Sequence, residues 1–287
     1  MNKYIIITPA RDEEEHIEKT ILAVVEQTVR PAQWIIVNDG SRDNTGAIID
    51  SYARIHPWII ALHRSNRGFR QAGAGVINTF YDGYARIDSS EWDFIVKLDA
   101  DLTFSPDYFE SCFAEFDKDP RLGIAGGGIY HQTAEGLSLE TAPDFHVRGA
   151  TKIYKRDCWE ALGGLLRAPG WDTVDEVKAN MLGWSTRSLP HLKLLHHRFT
   201  GAADGAWKDW VKNGRANYVT GYHPLFMLLK CARRLIKKPY VIGAVGLSWG
   251  FLSSYCKRTP QVDDQTVIKY TRNQQLRRLL FLNSIWK

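Results

Sequence analysis

The sequence predicts an α/β fold with a mostly parallel sheet, helices on both faces, and a basic, apolar C-terminal segment. Three observations carry this. Strand-like and helix-like stretches alternate through residues 1–130, acids recur where the strand-like stretches end, and charge is divided unevenly along the chain. KYIIIT (3–8) is the first strand. The acidic run Asp12 to Glu15 then suits a helix N-terminus, and Ile17, Ile21, Leu22 and Val25 follow at helical spacing. WIIVND (34–39) is a second strand, and Ala47, Ile48, Tyr52 and Ile55 mark the next helix. WIIALH (58–63) is a third strand, residues 69–87 are helical through Val76, Ile77, Phe80 and Tyr84, and WDFIVKLDAD (92–101) is a fourth strand.

In such a sheet, ligands bind beyond the carboxyl ends of the strands. Asp12 and Glu13 follow the first strand, Asp39 ends the second, and Asp99 and Asp101 end the fourth. Any one of these reads equally as a cap or turn residue. Together they would repel one another unless a cation or a set of hydroxyl groups lay between them, which points to a metal and a polar ligand. No G-x-G-x-x-G follows the first strand and no G-x-x-x-x-G-K-[ST] occurs, which disfavours a dinucleotide oxidoreductase and a P-loop ATPase. Gly126 to Gly128 read as a strand edge or bend beside a ligand, or as a plain loop.

The composition, 44% hydrophobic and 24% charged over 287 residues, is that of a globular protein and excludes collagen-like, disordered and multi-span membrane classes. Cys112, Cys158, Cys231 and Cys256 are too widely spaced for a zinc or redox motif, and the first residues form no apolar secretory segment. A reduced, cytoplasmic compartment is expected. The net charge of +5 hides an asymmetry: residues 1–204 carry 22 Lys and Arg against 29 Asp and Glu, a balance of −7, whereas residues 205–287 carry 15 against 3, a balance of +12.

TPARDEE (8–14), VNDGSRDNT (37–45) and LDAD (98–101) in this order resemble a family 2 glycosyltransferase with the GT-A nucleotide-sugar-binding fold, from about residue 3 to about residue 224. The resemblance implies a catalytic domain over 1–224, divided into nucleotide-sugar binding (1–101) and acceptor binding with the base (102–224). Asp39 is then expected to accept a hydrogen bond from the nucleotide base, with Pro9, Ala10, Asp12 and Glu13 lining the base and ribose pocket. Asp99 would face the ribose or sugar, and Asp101 would ligate Mn²⁺ or Mg²⁺ at the diphosphate. Arg67 and Arg70 reach the diphosphate or are solvated helix-end charges. In GGLLRAPGWDTVDEVKANMLGW (163–184) the spacing of Asp172 to Gly183 matches the family's catalytic element, although Trp171 stands where Glu is common. Asp172 is the expected base and Asp175 the rival, both on one helical face. A histidine of this region completes the metal shell in related enzymes, and His197 is preferred to His196. Gly201 to Tyr218 has the composition of an acceptor loop, with Trp207 and Trp210 as stacking faces or as ordinary helix packing.

From residue 225 apolar residues interleave with Lys and Arg, and Pro239 to Cys256 is an uncharged run bracketed by Lys237-Lys238 and Lys257-Arg258. It falls just short of the ~20 residues a span requires. Residues 225–287 are therefore expected to form a basic amphipathic helical tail on the cytosolic face of an anionic membrane, the alternatives being a packed hairpin and a true span. The expected reaction is inverting transfer from a nucleotide-diphosphate sugar, a UDP-sugar first, to a lipid-linked or cell-surface glycan hydroxyl. Transfer to a polyprenyl phosphate, which needs no base, is the alternative within the class. A nucleic-acid-binding tail is disfavoured because the basic residues sit among Leu, Ile and Trp with no recognition module, and a silent sugar-nucleotide sensor is disfavoured by the intact D-x-D.

Overall fold

The computed structural model describes residues 2–68, 73–88, 91–198, 205–236 and 239–286. Strands β1 (Tyr4–Ala10), β2 (Gln33–Asn38), β3 (Ile59–His63) and β4 (Phe94–Leu98) lie parallel in the order β3-β2-β1-β4. Helices α1 (Ile17–Val25), α2 (Thr45–Ile55) and α3 (Ala74–Tyr84) connect them. Alternate residues of each strand feed separate cores, as the period of two requires. Tyr4, Ile6, Trp34 and Ile36 pack with Ile17, Ile21 and Ile49 of α1 and α2. Ile5, Ile7, Ile35 and Val37 pack with Ile77 and Phe80 of α3 on the other face. Both faces being covered explains why these strands read as nearly continuous apolar runs.

The second half is mixed. β5 (Leu102–Phe104), β6 (Leu122–Thr133), β7 (Gly136–Leu139), β8 (Thr151–Lys155) and β9 (Ser185–His196) complete the sheet in the order β4-β8-β6-β9-β5, with β7 on β6. β6 and β9 are parallel, whereas β4–β8, β8–β6, β9–β5 and β6–β7 are antiparallel. Helices α4 (Tyr108–Lys118), α5 (Arg156–Leu162) and α6 (Trp171–Met181) flank it. The strand expected to reach residue 101 ends at Leu98, because the chain turns at Asp99 to Asp101 before β5 pairs Leu102 with His196. That turn brings the second acid of the D-x-D beside the end of β9. Gly126 to Gly128 lie inside β6, at a register shift. A Cβ on Gly127 would stand 2.2 Å from the Leu192 carbonyl oxygen, so close backbone approach, not a ligand, requires glycine there.

Four helices follow: α7 (Ala206–Val219), α8 (Pro224–Arg234), α9 (Tyr240–Cys256) and α10 (Gln265–Leu279). α7 and α9 meet backbone to backbone: a Cβ on Gly214 would lie 2.1 Å from the Leu247 oxygen, and one on Gly250 2.0 Å from the Val211 oxygen. A third apolar cluster joins Phe145, Val174 and Val177 to Tyr218, Tyr222, Met227, Leu247, Phe251, Val267 and Trp286. It crosses the boundary expected at residue 224. Among the described residues no helix is long and apolar enough to cross a membrane.

Candidate active site

The carboxyl ends of β1, β2 and β3 gather acids and arginines. Asp39, directly after β2, is nearly buried at 6% exposure and donates its backbone N–H to the Ala10 carbonyl at 2.8 Å. Its carboxylate accepts from Arg67 Nη1 and Nη2 at 2.9 and 2.6 Å and from Arg64 Nη1 at 2.8 Å. Arg11 donates to the Asp39 carbonyl at 3.0 Å. Asp12 adopts a left-handed φ of 55°, and its carboxylate accepts from the Arg42 N–H at 2.9 Å. The Asp12 and Glu13 amides donate to Ser41 Oγ and Thr45 Oγ1 at 3.0 and 2.8 Å, so the loop after β1 is zipped to the loop after β2. Glu13 also accepts from Arg198 at 2.7 Å, beyond the end of β9.

The D-x-D turn divides its two acids. Asp99 pairs with Lys97, a lysine of β4 only 2% exposed, and its amide donates to the Ala150 carbonyl at 2.8 Å. Burial pushes the Asp99 carboxyl up, outweighing the pull of Lys97. Asp101 accepts from His196 Nε2 at 3.1 Å. Although burial pushes upward, the His196 hydrogen bond and charge, with Arg198 and Lys97, hold Asp101 below the ordinary carboxylate range. Burial depresses His196, but the bond to Asp101 and the neighbouring Asp101 and Asp99 charges leave it raised. His197, the sequence-based choice, points elsewhere: its Nε2 bonds to Thr103 Oγ1 at 3.0 Å and its ring stacks on His16 at 5.5 Å.

Asp172 and Asp175 lie on α6 in different settings. Lys152 Nζ, fully buried on β8, bonds both Asp175 oxygens at 2.9 Å, Glu176 at 2.7 Å and the Asp172 carbonyl at 2.5 Å. Tyr154 donates to Asp175 at 2.5 Å, while Glu176 takes the Val147 amide at 2.7 Å and contacts His146 Nδ1 at 2.8 Å. Burial pushes the Asp175 carboxyl up to about 6, against the pull of Lys152. Asp175 is thus enclosed in a structural network. Asp172 is half-buried, and its Oδ2 lies 3.2 Å from where a Cβ of Gly149 would stand. Burial raises its pKa, but His146, Lys152 and Arg148 more than reverse this and keep it ionised. Gly149 in turn offers its carbonyl to Lys97 Nζ at 2.5 Å, and Lys97 holds Asp99. One glycine therefore separates the Asp172 carboxylate from the D-x-D network. Trp171, where the sequence pattern leads one to expect Glu, stands 5.6 Å from Lys97 Nζ and 5.4 Å from Lys152 Nζ, a cation–π contact to both.

The family model described as Glycosyl transferase family 2 matches residues 5–157, just over half of the chain. The chain belongs to glycosyl transferase family 2. Its fold is GT-A. It is similar to the uncharacterized glycosyltransferase EpsJ of Bacillus subtilis, 30% identical over 45% of this chain and 35% of EpsJ. It is also similar to the chondroitin synthase of Pasteurella multocida, 31% identical over 41% of this chain and 11% of the synthase. The chain thus spans between about a tenth and about a third of these curated relatives. Its structure is similar to Staphylococcus aureus TarS in complex with UDP-GlcNAc, with a TM-score of 0.55, 15% identity and coverage of 96% of this chain and 81% of that one. A mannosyltransferase of Pyrobaculum calidifontis in complex with GDP-Man and Mn²⁺ gives a TM-score of 0.55, 14% identity and coverage of 96% and 84%.

In this family 2 chain the structure brings Asp12, Glu13, Asp39 and Arg67 to one edge, and Ala10 supports Asp39 from β1 beside Pro9. Arg70 lies outside the described residues, as do residues 201–204 of the expected acceptor loop. The remainder of that loop is helix α7, because its Trp and Val residues pack on α9. Trp210 is covered by Arg234, 4.1 Å above its ring, and by Gly243 and Gly246, so it offers no stacking face; Trp207 keeps 46% exposure. Sequence reasoning passed over Arg11, Arg64, Lys97 and Lys152. Arg11 and Arg64 directly follow β1 and β3, so the strand-end rule that selected the acids selects them too. Lys97 and Lys152 sit in otherwise apolar strands, and a buried ammonium must have a partner.

Proposed function

We propose that this family 2 enzyme catalyses inverting transfer of a sugar from a nucleotide-diphosphate sugar, a UDP-sugar first, to a hydroxyl of a lipid-linked or cell-surface glycan at the cytosolic face of a membrane. The observation that carries the reading is the link through Gly149. It supports Asp172, an ionised and half-buried carboxylate, as the base next to the acids of the donor edge. In the reaction Asp172 takes the proton of the acceptor hydroxyl as that oxygen bonds to the anomeric carbon and the bond to the diphosphate oxygen breaks. Asp39, Asp12 and Glu13 orient the nucleoside. Arg67, paired with Asp39, is the arginine proposed to meet the diphosphate, and Asp99 meets the ribose or sugar.

Asp101 and His196 are the residues suited to hold a divalent cation. Among the described residues no three His, Cys, Asp or Glu side chains converge on one point. A carboxylate and an imidazole still fit Mn²⁺ or Mg²⁺, since such ions take one or two protein ligands and complete their shell with water and substrate phosphate. Asp101 Oδ2 and His196 Nε2, 3.1 Å apart, are the atoms that would hold the cation; among the described residues His196 Nδ1, on the other side of the ring, has no hydrogen-bond partner. The cation, when bound, neutralises charge developing on the leaving diphosphate.

Calorimetry with UDP tests the donor half: affinity should require Mn²⁺ and fall sharply with EDTA or in Asp101→Ala. Equal affinity in all four combinations would refute it. Kinetics of Asp172→Asn test the acceptor half. Turnover should drop by about 10² to 10⁴ with nucleotide affinity held within a few fold, because the base acts only in the transition state. Full activity in Asp172→Asn would favour an anionic acceptor such as a polyprenyl phosphate.

A further inference from the structure

Helix α9 carries two apolar faces. The inner one, with Gly243, Gly246, Leu247, Gly250 and Phe251, is buried against α7. The outer one, with Val241, Val245, Trp249 and Leu252, recurs at helical spacing and is open, Trp249 at 61% and Leu252 at 59% exposure. The helix holds no charged residue. α8, packed on α9, is likewise open along Leu225, Leu228 and Leu229, and Phe281 after α10 is 94% exposed. A helix facing water carries polar side chains on that face, and an apolar surface of this extent marks an interaction site.

The charge around the surface selects the occupant. Arg233 lies on α8, Lys257 and Arg258 follow α9, and Arg277 and Arg278 precede Phe281, whereas the Lys230 ammonium turns inward over the Tyr222 ring. Only three acids, Asp209, Asp263 and Asp264, occur in residues 205–287 against fifteen basic residues. A second copy would set lysine and arginine against lysine and arginine, whereas an anionic lipid surface accepts both the apolar stripe and the basic rim. The seventeen residues of α9 extend about 25 Å, short of the ~30 Å hydrocarbon core. Their inner face is also engaged by α7, so the helix lies on a bilayer and does not cross it.

We infer that the outer faces of α8 and α9, with Phe281, form a docking surface for an anionic lipid bilayer. The inference rests on the membrane placement of the proposed reading and gives it a surface. The test uses the full chain without substrate: co-sedimentation with phosphatidylcholine vesicles, with and without about 30 mol % phosphatidylglycerol. The wild type should pellet with the anionic vesicles only. Trp249→Glu combined with Leu252→Glu, and separately Arg233→Glu combined with Lys257→Glu, should each weaken binding by about tenfold or more with melting temperature and UDP affinity unchanged. A wild type that stays in the supernatant, or variants that pellet like it, would overturn the inference. So would a solution dimer that Trp249→Glu with Leu252→Glu dissociates in the absence of vesicle binding. Retained UDP affinity in the same preparations separates failure of the surface from failure of the reaction.

Discussion

Asp172 and Asp175 stand on one face of α6, and their neighbours alone give them different work. Asp175 is tied to Lys152 and Tyr154, while Asp172 meets Gly149 with its side chain and Lys152 only with its carbonyl. Removing the ammonium in Lys152→Met strands Asp175 and Glu176 as buried carboxylates, and breaking such a network typically costs about 3–5 kcal/mol. Thermal or denaturant unfolding of Lys152→Met should show a loss of this size, whereas Asp172→Asn, which keeps the network and gives up only the charge favoured by His146, Lys152 and Arg148, should lose clearly less. Equal stability in Lys152→Met would mean that the network contributes nothing. The choice between the two acids was not legible in the sequence, because helical spacing puts both on one face and the discriminating partners come from β8. The same holds for the histidines. His196 closes β9 and His197 lies just beyond it, and contacts from other elements separate them: His196 meets Asp101 and His197 meets Thr103. The position of the acids at this edge was legible because Asp39 and Asp99 directly follow apolar strands and Asp12 and Glu13 stand within three residues of one.

At the scale of elements, the parallel half could be read in order because both-face burial leaves continuous apolar runs flanked by helices of clear period. The stretch from Gly201 to Tyr218 could not. Its tryptophans and glycines suit a sugar-binding loop in composition, yet Gly214, Gly246 and Gly250 serve the close crossing of α7 and α9, a property of three-dimensional contact. Helix α10 shows what a local signal can do. Asp264 caps it, its Oδ1 accepting from the Thr266 and Val267 amides at 3.1 and 3.2 Å. Loss of such a cap costs about 1 kcal/mol, so Asp264→Ala should lower stability by about that amount. The hydrogen bond from Thr266, with further bonds from the Val267 and Thr266 amides and the charge of Lys178, holds the Asp264 carboxyl below its ordinary value of 3.8 despite slight burial. A depressed carboxyl stabilises the fold above its unfolded pKa, and that contribution disappears as pH falls through the folded value. The difference between wild type and Asp264→Ala should therefore be constant at neutral pH and shrink in acid below 3.8. A difference that grew in acid would contradict the capping role.

For the whole molecule, the sequence suggests a catalytic domain with a tail that could be removed, and the packing joins that tail to helix α6. Met227, Leu247, Phe251, Val267 and Trp286 share one apolar cluster with Phe145 and with Val174 and Val177 of α6, the helix that carries Asp172. Burying a large apolar side chain contributes about 1.5–3 kcal/mol. Removing several of these at once therefore rivals the ~5–15 kcal/mol that holds a domain together. The loss would be uneven, since among the described residues the cores on the two faces of β1 to β4 include none from beyond residue 224. Truncation after Pro224 should thus loosen α6, which carries the proposed base, while the edge formed by β1 and β2 holds. Hydrogen exchange should show lost protection over residues 163–184 and retained protection in β1, β2 and β4. UDP affinity should persist while sugar transfer disappears. Because truncation damages the packing of α6 itself, loss of membrane binding in a truncated chain says little about docking, and the exposed-face substitutions are the cleaner probe. A truncated chain that kept wild-type turnover and melting would show that the shared cluster is dispensable and that the tail is an independent appendage after all.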